Sequence, residues 1–317
     1  MSTDEYGEWL VGRVRKNERR SRDAMGKAST DAVRIYDRDI PEIPLTIERY
    51  GAHLHVAMWS RGQEQDPGTR TTYLQAATAT LAASLGIDSA SVHFHARVRE
   101  SDPFDERPPA VGRPVVIVGE RGLQFEVDLG RAIDTGLALD HRLLRDRVAD
   151  ACTGRHCLNL FGGTGTFAVV AAAANAATTK TIEASAFAGD WARRNLRLNG
   201  LPTDGRNSIV CADVFGWIDD ELHGDHRYDV IVCNAPTFAK SRRLRAGFDV
   251  ARDHAPLLER VVDLLAPGGT LLFCSTQRSF DLDGSVLDRL RWREISPASV
   301  PADFRDRKVH RAWWAER

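Results

Sequence analysis

No stretch of this 317-residue chain approaches the roughly 18 consecutive apolar residues that a membrane-spanning helix needs, so no spanning helix is expected. The opening Met1-Ser-Thr-Asp-Glu-Tyr is acidic and polar and lacks the apolar core of a secretory signal. Cysteine is scarce. Cys152, Cys157, Cys211, Cys233 and Cys274 form no Cys-x-x-Cys pair, which argues against both a cysteine zinc site and a disulfide framework. A cytoplasmic protein without a metal is the expectation. Lysine supplies only five of the 43 basic residues, a ratio read as genome composition rather than as a special role for arginine. There is no internal repeat and no low-complexity tract.

What is present is a chain with 43% hydrophobic residues, ample for packed cores, and a length that favours two domains over one. The net charge of −1 conceals local asymmetry. Arg13, Arg15, Lys16, Arg19, Arg20, Arg22 and Lys27 make a basic N-terminal segment; Lys240, Arg242, Arg243 and Arg245 form a second cluster; Arg305, Arg307, Lys308 and Arg311 form a third. The first and third read equally well as solvated faces. The second follows the candidate active-site turn, where a phosphate backbone would need neutralising.

Residues 1–30 are expected to form a basic helix, clearest over 8–28 and without a strong apolar face. Residues 31–130 read as a small β-rich α+β domain. Its expected strands are 33–36, 45–50, 53–59 and 92–98, with an Ala-rich helix over 71–85 and a hairpin of 115–118 and 123–129 about Glu120-Arg-Gly122. The stretches 62–68 and 102–114 read as loops. From 131 to 317, helical and strand patterns alternate: helices over 141–151, 166–174, 186–198 and 255–265, and strands over 157–160, 180–182, 208–211, 230–233 and 270–274. Alternation of this kind predicts an α/β fold, a parallel sheet with helices on both faces.

Four strand ends carry chemistry. The first leads into Phe161-Gly-Gly-Thr-Gly165, whose glycines let a ligand approach the backbone at a helix N-terminus. A dinucleotide enzyme would use such a turn equally well, and so would a tight turn with no ligand. The second ends at Glu183, an acceptor for ribose hydroxyls. The third ends at Ala212-Asp213, where the acid either receives an adenine amino group or caps the following helix. The fourth ends at Asn234-Ala-Pro-Thr237, a close but altered version of the Asp/Asn-Pro-Pro-aromatic turn of methyltransferases that modify base nitrogens. A dehydrogenase has no use for this fourth element, so the order points to S-adenosylmethionine.

At a finer level, Asp134-Thr-Gly-Leu-Ala-Leu-Asp-His-Arg142, Asn195-Leu-Arg-Leu-Asn-Gly-Leu201, Pro236-Thr-Phe238 and Phe248-Asp-Val-Ala-Arg-Asp-His254 resemble bacterial 23S rRNA guanine-N7 methyltransferases. These form the K half of a bifunctional large-subunit enzyme. The resemblance extends upstream through Arg34-Ile-Tyr-Asp-Arg-Asp-Ile-Pro-Glu42 and so covers nearly the whole chain. It implies a Rossmann-like class I methyltransferase domain over 131–317, an RNA-holding accessory domain over 31–130, and 23S rRNA or a large-subunit precursor as partner. The cofactor set it implies is Asp140, Arg142, Asn159, Phe161, Gly162, Gly163, Thr164, Gly165, Glu183, Ala184, Ser185, Asp213, Val214 and Asn234. The catalytic set is Asn234, Pro236 and Phe238. The alternative expectations are that Arg142 pairs with Asp140 or Asp146 on a helix surface and that Asp253 and His254 fix the loop after Arg245.

This chain departs from the family's Asp-Pro-Pro-Thr-Phe at two positions, Asn234 and Ala235. Guanine N7 carries a lone pair and no proton, so a neutral amide does not exclude its methylation. Phe238 or Phe248 is expected to stack on the target base. Three alternatives remain open: methylation of an exocyclic amino group, 5-methylcytosine formation, and a non-catalytic RNA- or ribosome-binding relative. The cytosine reaction needs a cysteine nucleophile, and Cys274 stands one residue early in its motif. That offset is expected to turn it away from the site as an inert thiol.

Overall fold

The computed structural model describes residues 3–59, 67–98, 112–239 and 247–317. The chain forms two compact units: Met1–Leu139 with Pro301–Asp306, and Asp140–Val300 with Arg307–Arg317. The first unit therefore runs past the boundary at residue 130 drawn from the sequence. Among the described residues no helix is long and apolar enough to cross a membrane.

The first unit opens with α1 (Thr3–Ala28), followed by β1 (Ala32–Asp37), β2 (Leu45–Tyr50), β3 (His53–Trp59), α2 (Pro67–Ser84), β4 (Val92–Val98) and the hairpin β5 (Val115–Glu120) and β6 (Leu123–Asp128). The sheet order is β1-β2-β3-β4, antiparallel except for the parallel pair β3–β4. The α1 helix does have an apolar stripe. Leu10 and Val14, one turn apart, are buried against Leu74, Ala77 and Leu81 of α2 and the alternating Leu45, Ile47, Leu54 and Val56 of the sheet. Each such burial is worth about 1.5–3 kcal/mol. Arg15, Lys16, Arg19 and Arg22 face solvent, whereas the side chains of Arg20 and Lys27 lie outside the described residues. In the hairpin, Arg121 and Gly122 both take positive φ (57° and 78°), as a two-residue turn between twisted strands requires.

The other face of β3 and β4 carries a histidine ladder. His53 stacks on His93 with centroids 5.4 Å apart, and the His55 and His95 rings lie tilted to each other at 4.8 Å. Burial lowers the pKa of His55, with Glu48 pulling the other way, and pushes His95 down to about 4. Both are therefore neutral in the folded protein and charge more readily when unfolded, near 6.5. Stability from this ladder is full above pH 6.5 and is lost as pH falls from 6.5 toward 4. Hydrogen exchange of β3 and β4, corrected for the intrinsic pH dependence, should accelerate between pH 7 and pH 5. Equal protection at the two pH values would exclude this linkage.

The second unit contains α3 (Arg142–Cys152), β7 (His156–Leu160), α4 (Thr166–Ala173), β8 (Thr178–Glu183), α5 (Ala186–Leu198), β9 (Asn207–Cys211), α6 (Val214–Glu221), β10 (Tyr228–Asn234), the short β11 (Phe238–Ala239) and β12 (Phe248–Asp249), α7 (Val250–Asp263), β13 (Leu265–Ser275), α8 (Gly284–Leu287), β14 (Arg291–Glu294), α9 (Ser296–Ser299) and β15 (Arg311–Glu316). Its sheet runs β14-β15-β13-β10-β7-β8-β9. The five strands from β13 to β9 are parallel, as the βα alternation predicts; β15 and β14 add an antiparallel edge that the alternation does not announce. Leu158, Leu160, Ile182, Ile231, Leu271 and Phe273 are at most 1% exposed and join Leu257, Leu258 and Val261 of α7 in one core. After β9 the chain returns to β10 on the other side of β7. The order thus reverses between β7 and β10, and the crevice beyond their C-terminal ends is where such sheets take ligands.

Candidate active site

At the end of β7, Phe161 adopts φ 55°, and Gly163 and Gly165 follow at 53° and 76°. A non-glycine residue in this region stores about 1–3 kcal/mol of strain. The Phe161 ring is held by Phe248 at 5.9 Å, nearly parallel, and by Phe215 at 6.1 Å, edge-on. A Cβ on Gly162 would lie 2.1 Å from Thr181 Cγ2 and 2.9 Å from Asn159 Nδ2, and one on Gly165 would meet Ala192 Cβ at 2.6 Å. Backbone packing, as well as chain flexibility, therefore dictates these glycines. The fully buried Asn195 donates from Nδ2 to the Thr164 carbonyl at 2.9 Å, a brace from α5 that the Asn195–Leu201 motif alone does not reveal.

Glu183, at the end of β8, accepts the Gly163 N–H on Oε2 and the Ser185 N–H on Oε1, both at 2.8 Å. It ties the glycine loop to the turn containing Ala184, which is exposed, and Ser185, which caps α5 through its hydroxyl. Asp213 caps α6 by accepting the Gly216 N–H at 3.0 Å, so its capping role is realised; Val214 behind it is buried. Below the loop, Asn159 Oδ1 and Nδ2 and Thr181 Oγ1 are buried without a hydrogen-bond partner.

On the other flank, β10 ends at the half-buried Asn234, opposite Cys274 in the parallel register with β13. The Cys274 thiol donates to Asn234 Oδ1 at 3.2 Å, and the Ala235 N–H donates to the Cys274 carbonyl at 2.9 Å. The expectation that Cys274 faces away is thus corrected. The one-residue offset of its motif is absorbed by the register, because residue 274 stands directly beside 234. Burial, reinforced by Cys233 and Asp140, raises its pKa well above the ordinary value. Cys233 lies in the core.

The two phenylalanines take different roles. Phe248 is 2% exposed and packs on Phe161 and Phe215, whereas Phe238 is 70% exposed, just after Pro236. The basic cluster Lys240, Arg242, Arg243 and Arg245 lies outside the described residues. Asp253 accepts the Asp249 N–H at 2.9 Å and binds Arg252. His254 Nε2 accepts the Asp283 N–H at 2.9 Å while Nδ1 is bonded to the Val250 carbonyl, which fixes one neutral tautomer. Both residues are fasteners of α7.

Arg142 is only 1% exposed, so it does not lie on the helix surface considered from the sequence. Its neighbour Asp140 accepts from His310 Nδ1 at 2.8 Å, and His310 Nε2 is bonded to Ser299 Oγ at 2.8 Å. His141 is pushed down to about 4 by burial, and its Nε2 lies 3.5 Å from Asp140 Oδ2. Asp140, His141 and His310 bring ligand-type atoms within 4.8 Å of one another. An expectation of no metal drawn from cysteine spacing does not register this trio, which joins residues 170 positions apart.

Residues 45–292 match the sequence pattern of the S-adenosylmethionine-dependent methyltransferase family. A ribosomal RNA large subunit methyltransferase K from Neisseria meningitidis serogroup B is 36% identical over 283 residues, 89% of this chain and 80% of the relative. A K/L protein from Pseudomonas paraeruginosa is 36% identical over 311 residues, 98% of this chain but 42% of its own length. The chain therefore spans less than half of the K/L proteins. A methyltransferase crystallised with SAH, SMU.776, superimposes with a TM-score of 0.75 at 17% identity, covering 98% of this chain and 82% of the other.

Proposed function

Since this chain belongs to the S-adenosylmethionine-dependent methyltransferases, we propose that it methylates N7 of a guanine in large-subunit ribosomal RNA. S-adenosylmethionine supplies an electrophilic methyl group on a positively charged sulfur. The residues fit that cofactor on three counts: the glycine loop with open space where a Cβ at Gly163 would stand, the partnerless Asn159 and Thr181 atoms beneath it, and the Glu183 carboxylate at the second strand end. Phe161, Gly163, Thr164 and Gly165 would hold the methionine part, Glu183 with Ala184 and Ser185 the ribose, and Asp213 with Val214 the adenine edge. Asp140 and Arg142 are assigned to the mouth of the site.

The observation that carries the choice of N7 is the pairing of a neutral carboxamide, Asn234, with the 70% exposed Phe238. An exposed aromatic ring offers a stacking face to an unpaired base. A ring nitrogen attacks through its own lone pair, so the site need only align it, and Asn234 with the rigid Pro236 suffices for that. The first unit, with its exposed Arg15, Lys16, Arg19 and Arg22, is assigned to holding the RNA backbone.

The experiment is mass mapping of ribosomal RNA nucleosides from a strain lacking this chain, complemented with wild type or Asn234→Ala. The expected result is loss of one 7-methylguanosine, restored by wild type and not by the variant. An unchanged nucleoside profile on deletion would reject the assignment.

A further inference from the structure

The two departures from the family's turn meet at one residue. Asn234 replaces a carboxylate and Ala235 replaces a proline, and both contact Cys274: the thiol reaches Asn234 Oδ1 at 3.2 Å, and the Ala235 N–H reaches the Cys274 carbonyl at 2.9 Å. A proline at 235 has no N–H and would forfeit the second bond. An aspartate at 234 would present an acceptor on either side, whereas an asparagine has one acceptor end and one donor end. With Oδ1 committed to the thiol, the Nδ2 end turns the other way. Asn234 is half-buried, and its Nδ2 has no partner among the described residues.

We infer that Cys274 is a positioning residue that locks the Asn234 carboxamide in one flip, with its two N–H donors toward the target. A site so set recognises an acceptor. The Hoogsteen edge of guanine, with the O6 acceptor beside N7, fits it; an exocyclic amino group, whose own N–H needs an acceptor, does not. The inference rests on the N7 reading above and deepens it. It also assigns the thiol a role other than attack on cytosine. The buried thiol, whose pKa burial raises, keeps its proton, which a donor needs and a nucleophile must lose.

The test compares wild type, Cys274→Ser, Cys274→Ala, Asn234→Ala and the double Ala variant, with tritiated S-adenosylmethionine and large-subunit RNA from the deletion strain. Serine keeps a donor at the same place, so Cys274→Ser should stay within about threefold of wild-type kcat; Cys274→Ala should lose about tenfold, the worth of one oriented hydrogen bond. KM for the cofactor should move less than about threefold in both, since the lock serves the target. In the Asn234→Ala background, Cys274→Ala should have almost no further effect, a coupling that a merely structural thiol would not show. An inactive Cys274→Ser would identify a nucleophile and overturn the lock, as would a Cys274→Ala enzyme at full rate. Thermal melting and the cofactor KM of each cysteine variant separate a folding defect, which moves both, from loss of the lock, which leaves KM in place. If wild type itself produces a methylated amino group, the N7 reading has failed. If it produces 7-methylguanosine with no Asn–Cys coupling, the lock alone has failed.

Discussion

Gly162→Ala is expected to abolish cofactor binding and to lower the melting temperature by about 6–12 °C. The new Cβ would sit 2.1 Å from Thr181 Cγ2 and 2.9 Å from Asn159 Nδ2, and both neighbours are buried in adjacent strands of the central sheet. Overpacking a closed site costs about 1–3 kcal/mol, and this contact belongs at the upper end. In a unit of this size each kcal/mol moves the midpoint by about 2–4 °C, which gives the range stated. The variant has a built-in control. Thr181→Ser removes the methyl group that clashes, so the double variant should regain most of the lost stability. It should recover cofactor affinity only in part, because the contact with Asn159 persists. Calorimetry and thermal melting check both statements; a single variant that melts with wild type and binds normally would contradict the packing described.

Glu183→Gln is expected to weaken S-adenosylmethionine binding by about 30-fold or more, although glutamine is nearly isosteric. Both carboxylate oxygens accept backbone N–H groups, from Gly163 and Ser185, each at 2.8 Å. A glutamine has one acceptor and one donor end, so one of these N–H groups would face another donor. A hydrogen bond to a charged group contributes about 1.5–3 kcal/mol, and losing one while leaving its partner unpaired spans roughly 10- to 150-fold in affinity. The glycine loop would also lose its tie to the Ala184-Ser185 turn. A dissociation constant within about threefold of wild type would show that Glu183 is neither strut nor ligand.

Much of this arrangement is legible in the sequence because it is local. The helix over 186–198 is found at its expected bounds, and Gly162 to Gly165 and Glu183 stand at strand ends because the βα alternation puts them there. What escapes is whatever depends on a partner distant in the chain. The face of Cys274 follows from its register opposite Asn234, not from the pattern around it. The contrast between Phe238 and Phe248 is set by a two-residue strand pair whose members alone carry no periodicity. β14 reads as Arg-Trp-Arg-Glu, a charged edge with no apolar alternation, so nothing local marks it as a strand. The Ser299–His310–Asp140 chain joins both ends of the second unit and has no motif. The loss of proline at 235, unexplained by sequence, corresponds to a hydrogen bond that only a residue with an N–H can make.

The central claim is that the methyl group goes to a lone pair on a guanine ring nitrogen, and base-substituted RNA tests it most directly. Large-subunit RNA is transcribed with 7-deazaguanosine, which lacks N7, or with inosine, which keeps N7 and O6 and lacks the amino group. Each is offered to the enzyme with tritiated S-adenosylmethionine. The expected result is transfer to inosine RNA at a rate close to that of normal RNA and none to 7-deazaguanosine RNA. Transfer to 7-deazaguanosine RNA with none to inosine RNA would place the methyl on the amino group and contradict the reaction proposed for this site.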